Sequence, residues 1–436
     1  MLRFDLARAQ PANPAITDSA AVVGYGPARK WAVVALLCAA FIIAYLDRQN
    51  LSFALADRNF TNLFRLDDTR RGLLNSAFFW SYALLQIPAG WLVDRLGVKK
   101  PFAVCLAVWS VFAGLTAWCS SFAQLFAMRL LLGVGESVNT PAGMRWLRLN
   151  FRPQQHGVVM GLYQASAKVG PVIGSRLIPL LLIAYGWRNM FLVIGFGSLV
   201  WLLPWLFLVK DNDLQLEQAV LKRPEVPELA FGQLFNNRVM WGIIIGSFCY
   251  NYYNYFCLTW LPAYFTESRH LNLNSSGWFT GFSFAGFAIV STAAGFWADH
   301  IVRRGRSNIA TRKLFIVAGF LIAMTELVTA FPTSNTVALF FVIFSLSGLG
   351  LATGNYWALT PAIMPGAPAA RLAAVQNMAA NLPGIVAPIL TGALKQATGS
   401  YRAAMVANFG FLLAGMASYI LLVQRKYAPG AETSQT

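Results

Sequence analysis

Ionisable side chains stand inside long apolar stretches of this 436-residue chain. A charge in an apolar environment is costly unless it has a partner or a polar ligand. Two kinds of chemistry would use such groups: a cation that binds an anion, and a carboxyl that gains and loses a proton. The residues concerned are Asp47, Arg48, Arg129, Glu136 and Lys168.

Arg48 has polar neighbours at helical spacing. Tyr45, Arg48 and Gln49 lie within one helical turn and share a face. A guanidinium there could bind a carboxylate through two parallel hydrogen bonds, with Tyr45 and Gln49 binding adjacent oxygens. The alternative is that Asp47 and Arg48 form structural ion pairs with helices of the second half of the chain.

Glu136 follows Arg129 by seven residues, which returns to within about 20° of the same helix face. Burial disfavours an ionised carboxyl and a nearby cation favours it, so Glu136 is a candidate for proton exchange. The alternative is a static pair of Arg129 with Glu136.

Lys168 shares a helix face with Gln164, four residues earlier. A desolvated ammonium needs an anion, and a second acidic group of a ligand would supply one. Pairing of Lys168 with Asp47 or Glu136 is the alternative.

The second half of the chain is expected to hold almost no buried charged side chains. Its predicted spans contain amide and aromatic side chains instead. Amides and phenols bind hydroxyl groups, and aromatic rings pack on the C–H faces of sugars. Ordinary helix packing is the alternative for each of them. Together with Tyr82 of the first half, the candidates are Asn254, Tyr255, Trp357, Asn377 and Asn381.

The elements that position these residues are predicted to be membrane-spanning helices. Hydrophobic residues make up 57% of the chain and charged residues 12%, against about 25% charged in soluble domains. Apolar runs of about 20 residues recur twelve times. The predicted organisation is an N-terminal segment 1–30, a six-helix bundle 31–209, a linker 210–238, a six-helix bundle 239–424 and a tail 425–436.

The net charge of +17 is spread over short loops, which argues against nucleic acid as a partner. Lys and Arg are in excess on the side of both termini, which predicts cytoplasmic termini of a multi-pass protein in the plasma (inner) membrane. The sequence shows no nucleotide-binding loop and no metal-ligand spacing, so neither a cofactor nor enzyme chemistry is expected. A monomer is expected.

A short motif occurs at matching places in the two halves. Gly90-Trp-Leu-Val-Asp94-Arg95 and Gly295-Phe-Trp-Ala-Asp299 each lead into basic residues, with Arg303 in the second copy. Internal repeats are typical of secondary transporters that alternate access to a central site. Asp94, Arg95, Asp299 and Arg303 are therefore predicted to form ion pairs between helices that close one face of the bundle. The alternative is that they are ordinary topology-setting charges.

Five strings carry a family resemblance that extends from Trp31 to Val423. The string 90–100 resembles the loop signature of the major facilitator superfamily, and 129–136 resembles its fourth-helix signature. The strings 45–48, 255–262 and 376–388 resemble the anion:cation symporter family, in its bacterial sugar-acid branch.

This resemblance implies an all-α membrane protein with twelve transmembrane helices in two six-helix halves. It implies proton symport of an organic anion such as a hexonate, aldarate or hexuronate, with Arg48 binding the carboxylate and Asp47 and Glu136 taking up protons. Lys168 departs from the family, which usually has small or apolar residues there, and so favours an aldarate. A carrier of aromatic or other carboxylates, an anion exchanger and a substrate sensor are the alternatives.

Overall fold

The computed structural model describes residues 25–211, 235–331, 333–364 and 369–427, and the fold is given for these. Most of the predicted N-terminal segment, linker and tail lies outside the described residues, so those boundaries stay predictions. The described residues form α-helices and short 3-10 turns and no strand. This is the expected outcome in lipid, where each backbone polar group must be satisfied within its own helix.

The first half comprises eight described helices. They are α1 Pro27–Ala54, α2 Arg58–Leu63, α3 Asp68–Leu96, α4 Lys99–Leu115, α5 Phe122–Glu136, α6 Asn139–Asn150, α7 Pro153–Gly197 and α8 Leu202–Leu208. Gly186 has a φ of +76°, a backbone conformation that favours glycine, and it breaks α7. This break lies between the predicted spans 156–182 and 189–209.

The second half comprises seven described helices. They are α9 Arg238–Glu267, α10 Leu273–Arg303, α11 Asn308–Ala323, α12 Asn335–Ile363, α13 Ala369–Asn381, α14 Pro383–Thr398 and α15 Arg402–Leu421. A 3-10 turn, Met324–Ala330, separates α11 from α12.

Membrane-crossing character is clear from length and composition. Within the described ranges, eight helical segments are long and apolar enough to cross a bilayer. The all-α membrane fold is thus confirmed, and the count of twelve spans stays a prediction.

The two halves face each other through α1 with α9, α3 with α14 and α7 with α10. We call the end of the bundle where α1 and α9 begin the terminal end, and the opposite end the distal end. Small residues allow the closest approaches: a Cβ on Gly72 of α3 would lie 2.4 Å from the Pro388 carbonyl oxygen of α14.

Candidate functional site

Arg48 of α1 and Glu136 at the end of α5 form a buried ion pair. Arg48 Nε donates to Glu136 Oε2 at 2.8 Å, and the two side chains are 4% and 0% exposed. Arg48 Nη2 and Glu136 Oε1 are buried without a hydrogen-bond partner in the described part of the chain. The pair thus holds one spare donor and one spare acceptor.

Aromatic rings enclose the Arg48 guanidinium. Its central carbon lies 4.7 Å from the Tyr45 ring centroid, 4.6 Å from that of Phe78 and 4.6 Å from that of Tyr82. A guanidinium is attracted to ring faces and keeps its planar edge available for an anion. The predicted neighbour Tyr45 and the predicted hydroxyl-binding residue Tyr82 therefore both lie against the predicted anion-binding group.

Arg129 does not pair with Glu136, so the alternative of a static Arg129–Glu136 pair is wrong. Arg129 Nη1 donates to the main-chain oxygen of Asp47 at 3.0 Å, and Nη2 donates to Asn50 Oδ1 at 3.0 Å. The α5 helix presents Arg129 and Glu136 to different heights of α1, which explains the change of partner. Asn50, which the sequence analysis missed, connects Arg129 with the carboxyl of Asp47 through a 3.4 Å hydrogen bond.

Asp47 is fully buried, and its Oδ2 has no hydrogen-bond partner among the described residues. No basic side chain in the described ranges forms an ion pair with its carboxyl, and the suggested pairing of Asp47 and Arg48 with the second half is wrong. The neighbouring Gln49 donates to Ser175 Oγ of α7 at 2.9 Å and leaves its Oε1 unpartnered.

Lys168 of α7 has no carboxylate partner in the described part of the molecule, so the suggested pairing with Asp47 or Glu136 is wrong. Its Nζ lies 4.4 Å from the ring centroid of Phe287 on α10. The ammonium therefore reaches the contact surface between the two halves. Gln164, on the preceding turn, is exposed.

The predicted hydroxyl-binding residues of the second half form a chain of contacts. Tyr255 donates to Asn381 Oδ1 at 3.2 Å, and Asn381 donates to the Asn377 carbonyl at 2.8 Å. Asn377 Nδ2 donates to Gln86 Oε1 of α3 at 2.6 Å, which connects the halves. The Tyr255 ring also meets Phe79 of the first half, with centroids 4.6 Å apart.

Asn254 and Trp357 lie outside this chain of hydrogen bonds. Asn254 is buried at 9% exposure, and Trp357 is half-buried against Tyr356 with ring centroids 5.3 Å apart. The structure therefore brings Tyr255, Asn377 and Asn381 together, whereas Trp357 stands apart with Tyr356.

The repeated motif forms ion pairs between helices, but not with its own arginines. Asp94 pairs with Arg145 of α6, and Asp299 pairs with Arg312 of α11 at 2.8 Å. The sequence analysis grouped these acids with Arg95 and Arg303. Arg95 stacks on Trp91 instead, and Arg303 Nε donates to the main-chain oxygen of Asp299 at 3.3 Å.

Each of these motif pairs lies within one half, so they do not join the halves in this conformation. The predicted closure of one face by these residues is not seen here. The physical reason is that another helix of the same half places an arginine beside each carboxylate: α6 supplies Arg145 for Asp94, and α11 supplies Arg312 for Asp299.

A distal ion-pair network joins the two halves instead, and the sequence analysis missed it. Arg71 of α3 binds Glu267 of α9 at 2.7 Å and Asp68 at 2.8 Å. Lys395 of α14 binds Asp68 at 2.6 Å and Glu267 at 2.8 Å. Four alternating charges therefore hold the distal ends of α3, α9 and α14 together. Only Asp68 and Arg71 are close in sequence, at a spacing of three residues. No local spacing signals the whole set, because Glu267 and Lys395 are far from them in the chain.

Glu326 is a second residue that the sequence analysis missed. It lies in the 3-10 turn after α11 and is 2% exposed. The expectation that the second half holds almost no buried charge overlooked it. A lone acid in an apolar stretch was the available signal, the same one that singled out Glu136.

The family model described as Major Facilitator Superfamily matches residues 37–388. The chain belongs to the major facilitator superfamily. The resemblance of this superfamily member to sugar-acid carriers is confirmed by its relatives. One is a probable L-galactonate transporter of Escherichia coli (strain K12), 29% identical over 89% of this chain and 88% of the relative.

Two further relatives of this superfamily member also have names that describe transporters. A probable galactarate/D-glucarate transporter of Bacillus subtilis (strain 168) is 28% identical over 90% of this chain and 92% of its own. A probable sulfoacetate transporter of Cupriavidus necator is 29% identical over 85% and 88%.

Among solved structures, the facilitator fold is matched by a bacterial homolog to the human lysosomal transporter Spinster, in an inward-facing and occupied conformation. The TM-score is 0.77 at 18% identity, with 92% of this chain and 97% of that chain covered. This likeness supports the fold alone.

Proposed function

We propose that this membrane protein is a proton-coupled symporter that imports organic anions by alternating access, and that its substrates are sugar acids. The observation that carries the proposal is the buried Arg48–Glu136 pair with its unused donor and acceptor. In one place it offers a group that binds a carboxylate and a group that binds a proton. The names of the relatives, which include galactonate, galactarate/glucarate and sulfoacetate, support an organic anion.

Coupling follows from competition for one guanidinium. While Glu136 is ionised, it occupies Arg48 Nε. Protonation of Glu136 weakens that bond, and a substrate carboxylate then replaces it with two parallel hydrogen bonds. Proton and anion therefore favour each other's binding, which is the thermodynamic requirement of symport. An Arg48 left without any anion would be a costly buried charge, so the empty and protonated form is disfavoured.

Asp47 is proposed as a further proton site of the same region. Its carboxyl is buried one residue before Arg48, while Arg129 binds its main-chain oxygen rather than its carboxylate. Asn50 donates to one carboxylate oxygen and thereby orients it. Arg129 serves in this proposal as a positioning residue that connects α5 with α1.

The substrate's hydroxyl groups would be bound mainly by the second half. Tyr255, Asn377 and Asn381 supply phenol and amide groups next to the contact with the first half. Gln49, Gln164, Asn254 and Trp357 are proposed as further contacts around this polyol.

Lys168 favours a substrate with two acidic groups. Its ammonium reaches the contact between the halves without a carboxylate partner in the described ranges. A second substrate carboxylate would neutralise it, which points to an aldarate among the sugar acids.

Uptake into liposomes tests the proposal. Purified protein is reconstituted, and uptake of labelled hexonate, hexuronate and aldarate is measured with and without an imposed pH gradient. We expect accumulation only with the gradient, and its loss by at least about tenfold in Glu136→Gln because the proton-binding carboxyl is removed. The matched control is Asp211→Asn, which makes the same chemical change at an exposed carboxyl paired with Lys100.

The outcomes separate the alternatives. Gradient-independent uptake that requires an anion inside the vesicles would indicate an exchanger and contradict symport. Binding of an acid without any uptake would indicate a sensor. Gradient-driven uptake that is unchanged in Glu136→Gln would contradict the role of Glu136.

A further inference from the structure

Glu326 and Asn408 form a buried polar pair in the second half, away from the site proposed above. Glu326 lies in the 3-10 turn Met324–Ala330, and Asn408 lies on α15 with 0% exposure. Asn408 Nδ2 donates to Glu326 Oε1 at 3.0 Å. The other two polar atoms of the pair, Glu326 Oε2 and Asn408 Oδ1, are buried without a hydrogen-bond partner within the described ranges.

The ionisable groups around Glu326 belong to α9 and are neutral at neutral pH. They are Tyr252, Tyr253, Cys257 and Tyr264. On the described parts of α11, α12 and α15 no ionisable side chain acts on Glu326, and Asn408 is its one polar partner there. No ion pair of the described residues involves Glu326.

Arg269, which follows α9, gives its hydrogen bonds to neutral groups. Its Nε donates to the Tyr264 hydroxyl at 2.7 Å, and its other two nitrogens donate to the carbonyls of Thr333 and Thr329 at 3.1 and 2.9 Å. The described surroundings therefore supply no counter-ion that would offset an ionised Glu326 carboxylate.

One proton satisfies both unpartnered atoms. An ionised carboxylate buried without a cation is strongly disfavoured, and a carboxylic acid carries an O–H that must itself find an acceptor. Asn408 Oδ1 is an unpartnered acceptor on the same amide that donates to Oε1, so it is the acceptor available to a proton on Glu326 Oε2. The acid and the amide would then form two reciprocal hydrogen bonds.

We propose that Glu326 and Asn408 form a proton-binding site in the second half, which takes up a proton while the distal end is open and holds it when that end closes. Loading moves a proton from water at the distal side onto Glu326 Oε2 and forms the O–H bond there, and release at the terminal end returns that proton to water. The loaded state stands on the pair itself, whereas transport of its proton rests on the proposed function.

The 3-10 turn that carries Glu326 is tied to the distal closure. Thr329 Oγ1 donates to the Glu326 carbonyl at 2.7 Å, and the Thr329 carbonyl accepts from Arg269. Arg269 is two residues beyond Glu267, which is a member of the distal network. Opening of that network moves the end of α9 and with it the Arg269 contacts, which gives water a route to Glu326.

Infrared difference spectroscopy tests the loaded state on the full chain in lipid. At neutral pH we expect the wild type to show the C=O stretch of a protonated carboxylic acid that Glu326→Gln lacks and Asp211→Asn keeps. Asn408→Leu should shift that band, because the acid loses its acceptor. Identical spectra for wild type and Glu326→Gln would overturn the proposal. Loss of the band on addition of sodium ions would also overturn it, in favour of a metal-cation site.

Transport measurements test whether the Glu326 proton is carried with substrate. We expect Glu326→Gln to retain substrate counterflow within about twofold and to carry fewer protons per substrate. The proton number is obtained from the opposing substrate gradient at which net substrate flux stops. An unchanged proton number would overturn transport of this proton. If the wild type shows no proton coupling at all, the proposed function fails, whereas the infrared result on Glu326 still stands or falls by itself.

Discussion

Arg48 is held by one carboxylate and three aromatic rings, an arrangement that suits a planar cation. The rings of Tyr45, Phe78 and Tyr82 lie within 4.7 Å of its central carbon, and Glu136 binds its Nε. A lysine is a compact point charge that neither stacks in this way nor binds a carboxylate through two parallel bonds. The identity of the cation, and not only its charge, should therefore matter.

Substitution of Arg48 tests this at the residue scale. We expect Arg48→Lys to weaken substrate binding at least about tenfold, and Arg48→Ala to abolish uptake. Breaking the pair leaves Glu136 unpaired, which typically costs about 3–5 kcal/mol of stability. The double variant Arg48→Ala with Glu136→Gln removes both charges and should recover thermal stability without recovering uptake. Tight binding by Arg48→Lys in a thermal-shift titration would contradict the bidentate role.

Lys168 is tested by comparing substrates that differ in the number of acidic groups. We expect Lys168→Ala to reduce counterflow of an aldarate at least about tenfold more than that of the matching hexonate, because only the aldarate has a second carboxylate. Competition between the two acids in one vesicle preparation supplies the internal control. An equal loss for both acids would exclude a second-carboxylate contact and leave Lys168 a packing role beside Phe287.

At the scale of elements, α5 is positioned by glycines that precede Glu136. A Cβ on Gly133 would lie 2.3 Å from the main-chain oxygen of Phe78 on α3. A Cβ on Gly135 would lie 2.8 Å from the main-chain nitrogen of Trp109 on α4. Backbone atoms of neighbouring helices cannot give way as flexible side chains do. Close contact through small residues is the usual means by which helices associate in membranes.

Gly133→Ala should therefore be destabilising, although alanine favours helices. Overpacking of this kind costs about 1–3 kcal/mol, which should lower the melting temperature by several degrees and also reduce uptake by displacing Glu136. Gly161→Ala on α7 is the matched control, since no atom from another element of the described residues lies within 4 Å of a Cβ there. It should leave stability unchanged or slightly raised. Equal melting temperatures for the two variants would contradict this account of the α3–α5 contact.

At the scale of the whole molecule, the distal network joins the two halves at one end of the bundle. Arg71 and Lys395 each bind both Asp68 and Glu267, and Arg71 also donates to the Leu55 carbonyl at 2.7 Å. Among the described ion pairs, those that join the halves lie at this end. Outside the network, a cavity of about 420 Å³ opens between the ends of α1 and α9.

Replacement of Arg71, which binds both acids of the distal network, should open the distal end. We expect Arg71→Gln to raise the distal-open population at least about tenfold, which corresponds to about 1.4 kcal/mol. The measurement is the distance distribution between spin labels at Leu63 and Thr336 in a cysteine-free background. Lys100→Gln is the control, because its pair with Asp211 is exposed and does not involve the second half. An unchanged distribution in Arg71→Gln would mean that helix packing alone closes this end.

Sequence reasoning placed the important first-half charges but assigned several of their partners wrongly. An ionisable residue in an apolar stretch is visible from composition alone, which is why Arg48, Glu136 and Lys168 stood out. Helical spacing suggested Arg129 as the partner of Glu136, whereas the structure gives Arg48 that place. Spacing along one helix reports only a shared face, and the partner is decided by what the adjacent helix presents at that height.

The sequence by itself determined that the chain lies in lipid, that its fold is all-α and to which family it belongs. It also determined which buried ionisable side chains need a partner of opposite charge or a proton. These follow from the cost of placing polar groups in hydrocarbon, which acts on each segment separately. Only the tertiary structure decided which polar side chains meet: Asp68 with Lys395 across the halves, Asp94 with Arg145 inside one, and Glu326 with Asn408. Such pairs depend on the relative height and rotation of separate helices, and those are set by packing between residues far apart in the chain.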